Sequence, residues 1–100
     1  MIIVSGILKL TPDDLASVRS DAQAVIAKTR AEPGCRVYSF ADDLSEPGLV
    51  RIYEEWETRG DLGRHGSSNH VAEWHRALES VTVLERKLEI IDVAAREPLD

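Results

Sequence analysis

The 100 residues include 43% hydrophobic and 30% charged side chains, a balance typical of one globular domain and not of a disordered chain. The net charge of −6 argues against a nucleic-acid partner, which requires a basic face. The sequence lacks a run of about 18 apolar residues, so no membrane segment is expected, and the single cysteine, Cys35, fits a reducing, cytoplasmic location.

The first half of the chain predicts a strand, a helix and a hairpin. Residues Ile2 to Leu10 are rich in Ile, Leu and Val, as strands are. Thr11-Pro12 favours a helix start, because Thr caps free amides and Pro suits the first helical position, and Glu32-Pro33-Gly34 ends that helix. Cys35 to Ala41 and Leu49 to Trp56 alternate as strands joined by a polar turn, which indicates a hairpin.

The second half predicts two short helices and a last strand. The first helix runs from a capping Thr58 to His65 and ends near Gly66. Ser67 or Ser68 caps a further helix that continues to about Ser80. Apolar residues between Thr82 and Val93 favour a fourth strand, and residues 94–100 form a polar tail.

This order of elements predicts a ferredoxin-like β-α-β-β-α-β fold of the α+β class. One domain spans residues 1–100, with its core in about residues 2–93. Both crossover helices should cover the same face of the sheet, which leaves the other face without cover from its own chain. We therefore expect a homodimer, with Arg36, Tyr38 and Phe40 of the second strand as candidates for the bare face.

The central segment resembles the antibiotic biosynthesis monooxygenase family. It carries a Pro-Gly-Cys strand start, a Glu-x-Trp strand end and a following helix with a histidine near its end. The residues that carry the resemblance are Glu32-Pro33-Gly34-Cys35, Tyr38, Tyr53-Glu54-Glu55-Trp56-Glu57-Thr58, Leu62, His65, Ser68 and His70. The resemblance covers about residues 2–93.

The resemblance implies a dimeric α+β barrel with a pocket between each sheet and its helices. The family is functionally mixed, but its anthrone-type members carry out oxygen chemistry without flavin or metal. On this basis we expect oxidation of a small phenolic, quinol or anthrone-like substrate by O₂ without a cofactor. Such a substrate supplies its own electrons, because loss of a phenolic proton gives a carbanion or enolate that can pass one electron to oxygen. The protein then has to bind the substrate, take the proton and stabilise the anion.

Two residues are candidates for catalysis. Glu54 shares a strand face with apolar neighbours, where burial raises the pKa of a carboxyl group and suits it as a general base or a hydrogen-bond anchor. The alternative for Glu54 is a structural link to His65 or to a backbone amide. The resemblance places a recurrent histidine at His65, whose imidazole can move a proton near neutral pH, and the alternative is a histidine that closes the short helix against the sheet.

Five further residues are predicted to shape the substrate pocket. They are Tyr38, Trp56, His70, Trp74 and His75. His70 and Trp74 lie four residues apart and share a helix face, while the Tyr38 hydroxyl can donate to a substrate oxygen. The alternative for this group is ordinary packing of an amphipathic helix and of a sheet surface.

Other kinds of site have weaker support. The histidines at 65, 70 and 75 recur at intervals of five, which fits no zinc pattern, so no metal is expected. The sequence contains no glycine-rich phosphate loop, so no nucleotide cofactor is expected. Haem-degrading relatives carry an Asn in the first strand, where this chain has Ser5-Gly6-Ile7, so that activity is less favoured. A non-catalytic module that binds a small aromatic ligand, as in a stress response, is the main alternative to an enzyme.

Overall fold

Four strands and three helices alternate in the order β-α-β-β-α-α-β, in a computed structural model that describes all residues from Met1 to Asp100. The strands are β1 (Ile2–Lys9), β2 (Cys35–Asp42), β3 (Leu49–Trp56) and β4 (Glu85–Asp92). The helices are α1 (Pro12–Arg30), α2 (Arg59–Gly66) and α3 (Asn69–Leu78). The strands form one antiparallel sheet in the order β2-β3-β1-β4, which confirms the predicted ferredoxin-like α+β fold.

A hydroxyl side chain caps the N-terminus of each of the three helices. The Thr11 hydroxyl accepts a hydrogen bond from the Asp14 amide at 3.1 Å, and Thr58 does the same for Asp61 at 3.1 Å. Ser68, and not Ser67, caps α3. These caps satisfy amides that lack a partner within the helix, so the predicted helix starts are confirmed. None of the three helices combines the length and the apolar character needed to cross a bilayer.

The fourth strand is shorter than the sequence predicts. It begins at Glu85 and not at Thr82, because its partner β1 ends at Lys9, which pairs with Glu85. The Leu84 amide still donates to the Lys9 carbonyl at 2.9 Å, but the side chains of Val83 and Leu84 are exposed. The apolar residues before Glu85 therefore belong to the connection that follows α3.

The hydrophobic core lies between the helices and one face of the sheet. It is formed by Leu8, Leu10, Val18, Val25, Val50, Ile52, Val71 and Trp74. A second, smaller cluster joins Ile2, Tyr38 and Trp56 at the end of the sheet where β3 finishes. Helix α3 packs mainly on α1 and less on the sheet, so a space remains between α3 and the strands below it.

The prediction that Tyr38 and Phe40 lie on the bare face of the sheet is wrong. Tyr38 pairs with Glu54 and Phe40 with Ile52, and both side chains point toward the helices. A β-bulge at Arg36 causes the error, because one extra residue reverses the alternation of side chains. Arg36 itself forms an ion pair with Glu57 at 2.8 Å.

The face of the sheet opposite the helices mixes apolar and charged side chains. Its apolar residues include Ile3, Ile7, Val37, Tyr53 and Ile91. Glu55 also lies on this face, where it accepts two hydrogen bonds from the Arg96 guanidinium at 3.1 and 3.2 Å. The polar tail therefore folds back onto the sheet, yet Ile91 stays 41% exposed.

Candidate functional site

A cavity of about 390 Å³ lies between the sheet and helices α2 and α3. Its volume falls within the range of small-molecule sites, roughly 300–1,000 Å³. Five of the predicted site residues line it, namely Tyr38, Glu54, His65, Trp74 and His75. Trp56 and His70 do not line the cavity.

His65 is held rigidly at the wall of this cavity. It lies in the last turn of α2 and is only 6% exposed. Its ring packs against the rings of Trp56 and Tyr38, with centroids 4.8 and 5.2 Å away. The Ser68 hydroxyl donates to the His65 carbonyl at 2.6 Å, which links the end of α2 to the start of α3. These contacts leave the imidazole little freedom to turn.

A carboxylate fixes the protonation pattern of this histidine. The His65 Nδ1 atom lies 2.7 Å from the Glu32 Oε2 atom. An ionised carboxylate only accepts hydrogen bonds, so Nδ1 is the donor in this contact. Glu32 reaches this position from the turn after α1, where Gly34 adopts a φ of 83° that other residues rarely adopt. Glu32 therefore occupies one ring nitrogen of His65 and leaves the other, Nε2, without this partner.

His70 lies behind His65 and not in the cavity. Its Nε2 atom is 3.0 Å from the same Glu32 oxygen, and the two imidazole centroids are 6.0 Å apart. Glu32 thus joins two histidines that belong to different helices. His70 can act on the cavity only through this carboxylate.

Sequence reasoning missed Glu32 as a site residue. It precedes His65 by 33 positions and His70 by 38, and its Pro-Gly neighbours identify it only as a helix end. The interval of five between the histidines was also misleading, because α2 ends and α3 begins between them. The one available signal was the acid that stands directly before Pro-Gly in the segment carrying the family resemblance.

Glu54 occupies the sheet side of the cavity. It is 6% exposed, and its Oε1 atom accepts a hydrogen bond from the Trp56 indole at 2.9 Å. Burial raises the pKa of Glu54, while the Trp56 bond and the nearby His65 act in the opposite direction. Its hydrogen-bond partner is therefore an indole and not His65 or a backbone amide.

Tyr38 and Arg86 complete the polar lining. Burial raises the pKa of Tyr38, and the charge of Glu54 raises it further, so the hydroxyl stays protonated and can donate. Arg86 comes from β4 and carries the one guanidinium among the lining residues. Sequence reasoning missed Arg86 because the fourth strand was identified by its apolar residues. Half-exposed Ile90 marks the side on which the cavity opens.

Replacing Glu54 with Gln is expected to raise the free energy of unfolding near neutral pH but not at acid pH. Above the ordinary pKa of 4.5 the unfolded chain loses this proton, while burial lets the folded chain keep it to higher pH. The wild type therefore loses stability as the pH rises through this window, whereas Gln has no proton to lose and still offers Trp56 an acceptor. Urea denaturation at about pH 4 and about pH 8 measures the difference. If the free energies of unfolding of the wild type and Glu54→Gln differed by the same amount at both pH values, the raised pKa of Glu54 would not be the cause.

Comparison with known proteins places this chain in a family. The family model for antibiotic biosynthesis monooxygenase matches residues 1–77. A crystal structure from Deinococcus radiodurans, of a protein provisionally named an antibiotic biosynthesis monooxygenase, has a TM-score of 0.92 and 27% identity, covering 100% of this chain and 99% of that one.

Two curated proteins are also similar to this chain. The Synechocystis protein sll1783 is 28% identical over 98% of this chain and 67% of its own length. Rv0793 from Mycobacterium tuberculosis, provisionally named a monooxygenase, is 36% identical over 59% of this chain and 57% of its own length. The family match, the Deinococcus structure and Rv0793 support a monooxygenase-like function. The match over residues 1–77 and the shared fold show that the chain belongs to the antibiotic biosynthesis monooxygenase family.

Proposed function

We propose that this protein is a cofactor-independent monooxygenase that oxidises a small phenolic, quinol or anthrone-like substrate with O₂. The observation that carries the proposal is the His65 imidazole at the cavity wall, with Nδ1 held by Glu32 at 2.7 Å. A histidine oriented in this way is a general base, because the carboxylate fixes its tautomer and stabilises the imidazolium that forms.

The residues around the cavity divide the remaining tasks. Trp74 and the aromatic side chains of β2 offer flat surfaces to an aromatic substrate. The substrate proton moves to His65 Nε2, and the negative charges of Glu32 and Glu54 stabilise the resulting imidazolium. Arg86 and the Tyr38 hydroxyl stabilise the substrate anion.

The reaction balances without an external reductant. For an anthrone-type substrate, the anion passes one electron to O₂, and the two radicals combine into a peroxide on the ring methylene carbon. The protonated His65 returns its proton to this peroxide. Loss of water then leaves a carbonyl group, so one oxygen atom enters the substrate, the other becomes water, and the methylene carbon supplies all four electrons.

Oxygen uptake tests this proposal. Protein dialysed against a chelator and freed of flavin is mixed with a panel of anthrones and reduced quinones. We expect uptake above the buffer rate for at least one substrate, and with ¹⁸O₂ one labelled atom in the product and one in water. No uptake with any of them, or uptake that requires added flavin or metal, would overturn the proposal. An aromatic ligand seen by native mass spectrometry to survive O₂ unchanged would favour a binding module instead.

The bare face of the sheet supports a homodimer. Half-exposed Ile3, Ile7, Val37 and Tyr53 and exposed Ile91 form an apolar surface among charged residues. The helices cover the other face, and the tail reaches this one through Arg96 but leaves these side chains partly exposed. A second copy that packs sheet against sheet would remove this surface from water. Such an arrangement also matches the dimeric α+β barrel that the family resemblance implies.

Sedimentation equilibrium is expected to give twice the single-chain mass of 11.1 kDa for the wild type at micromolar concentration. Ile91→Lys places a charge in the proposed interface and is expected to shift the mass toward the monomer. Leu44→Lys is the matched control, because Leu44 is fully exposed in the turn between β2 and β3. A wild-type mass near 11.1 kDa together with cooperative unfolding would show that the face needs no partner.

A further inference from the structure

Three metal-ligating side chains converge at the junction of α1, α2 and α3. The ligand atoms of Glu32, His65 and His70 all lie within 4.8 Å of one another. The Glu32 Oε2 atom is 2.7 Å from His65 Nδ1 and 3.0 Å from His70 Nε2. Two imidazole nitrogens and one carboxylate oxygen are a recurrent donor set for zinc and related ions.

The spacing of these atoms suits a bound ion. Zinc bonds to nitrogen and oxygen of about 2.0–2.2 Å in a tetrahedron place neighbouring ligand atoms roughly 3.4 Å apart. The two short separations, 2.7 and 3.0 Å, are hydrogen-bond distances below that value, so the Glu32 carboxylate must move away from both imidazoles to make room for an ion. Ser68 ties the helices together between the two histidines, which fixes both donors before any ion arrives.

The cluster is also accessible. The side chains of Glu32 and His70 are each 16% exposed and that of His65 is 8% exposed, so an ion can enter while most water is excluded. Three protein ligands leave a fourth position for water.

We propose that Glu32, His65 and His70 form a binding site for a divalent transition metal of the zinc class, and that the bound ion switches off His65 as a proton acceptor. The second half rests on the proposed function. A neutral imidazole carries one proton, and a metal on Nδ1 forces that proton onto Nε2. Nε2 is the nitrogen that must accept the substrate proton, so metal binding and general-base catalysis exclude each other.

Equilibrium dialysis with Zn²⁺ tests the site. The chelator-stripped wild type is expected to bind one Zn²⁺ per chain with micromolar or tighter affinity, and Zn²⁺ is expected to raise its Tm. His70→Ala should weaken binding by about tenfold or more, since loss even of a residue that only supports a metal ligand commonly costs that much. His75→Ala is the matched control, an exposed histidine on the same helix but outside the cluster, and should bind as the wild type does. No binding by the wild type, or equal binding by His70→Ala, would overturn the site.

Oxygen uptake with and without Zn²⁺ then tests the switch. We expect stoichiometric Zn²⁺ to abolish turnover in the wild type. Turnover unchanged by bound Zn²⁺ would overturn the inhibitory role. Zn²⁺ bound by a protein that oxidises none of the substrates would leave the metal site standing and would reject the proposed monooxygenase. Turnover by a protein that binds no Zn²⁺ would support the monooxygenase and reject the metal site.

Discussion

Replacing His65 with Gln is expected to lower the rate of substrate oxidation by about 10²–10⁴-fold, the usual contribution of a positioned acid–base group. Glutamine can still contact Glu32 but cannot accept a proton from the substrate. The loss should fall on kcat, measured by oxygen uptake, while the affinity for a substrate analogue stays close to that of the wild type.

Glu32→Gln is expected to show a large part of the same loss. A glutamine amide can donate to Nδ1, which favours the tautomer with its proton on Nε2, and in a serine-protease triad the equivalent change costs up to about 10⁴ in rate. Glu46→Gln is the matched control, because Glu46 pairs with Lys9 at the surface and does not line the cavity. Wild-type rates in both His65→Gln and Glu32→Gln would remove His65 from the mechanism.

Trp56→Ala is expected to reduce the free energy of unfolding by about 3–5 kcal/mol, as for other large aromatic residues in cores. Trp56 is fully buried, and its ring packs on His65 with centroids 4.8 Å apart. The change also removes the indole donor of Glu54 and leaves that buried carboxyl without its partner.

Trp56→Phe separates these two effects. Phenylalanine keeps most of the ring packing but cannot donate to Glu54. Trp56→Phe should therefore still reduce the free energy of unfolding by about 1–3 kcal/mol relative to the wild type. The effect of Trp56→Phe on the free energy of unfolding should be smaller in a Glu54→Gln background, because no buried carboxylate is then left without its hydrogen-bond donor. Urea denaturation followed by circular dichroism gives the values, with exposed Leu44→Ala as a control that should change stability by less than about 0.5 kcal/mol. A reduction of the free energy of unfolding below about 1 kcal/mol for Trp56→Ala would contradict this prediction, because it would mean that the core repacks around the missing ring.

Local signals in the sequence predict most of the fold. Thr11 and Thr58 cap the helices they were expected to cap, and the β2–β3 hairpin forms with the expected strands. These features depend on neighbouring residues, so a single sequence contains the information. The face of Tyr38 could not be predicted, because the bulge at Arg36 adds one residue against β3 and shows itself only in the pairing.

The site was harder to predict than the fold. His65 and Glu54 were identified and do line the cavity, but the hydrogen-bond partners of both were not. Glu32 meets His65 only after α1 returns the chain to the sheet, a contact between distant segments that spacing cannot reveal. The cavity depends on α3 standing away from the strands, which follows from its packing on α1 and not from any motif.

The most direct test of the account is to look for the substrate anion in the absence of oxygen. An anthrone whose anion absorbs at longer wavelength than its neutral form is mixed anaerobically with the wild type, His65→Gln and Glu32→Gln. If His65 is the proton acceptor, the wild type should produce the anion spectrum, while both variants should bind the ligand in its neutral form. A neutral spectrum in the wild type, or the same anion spectrum in His65→Gln, would contradict the account.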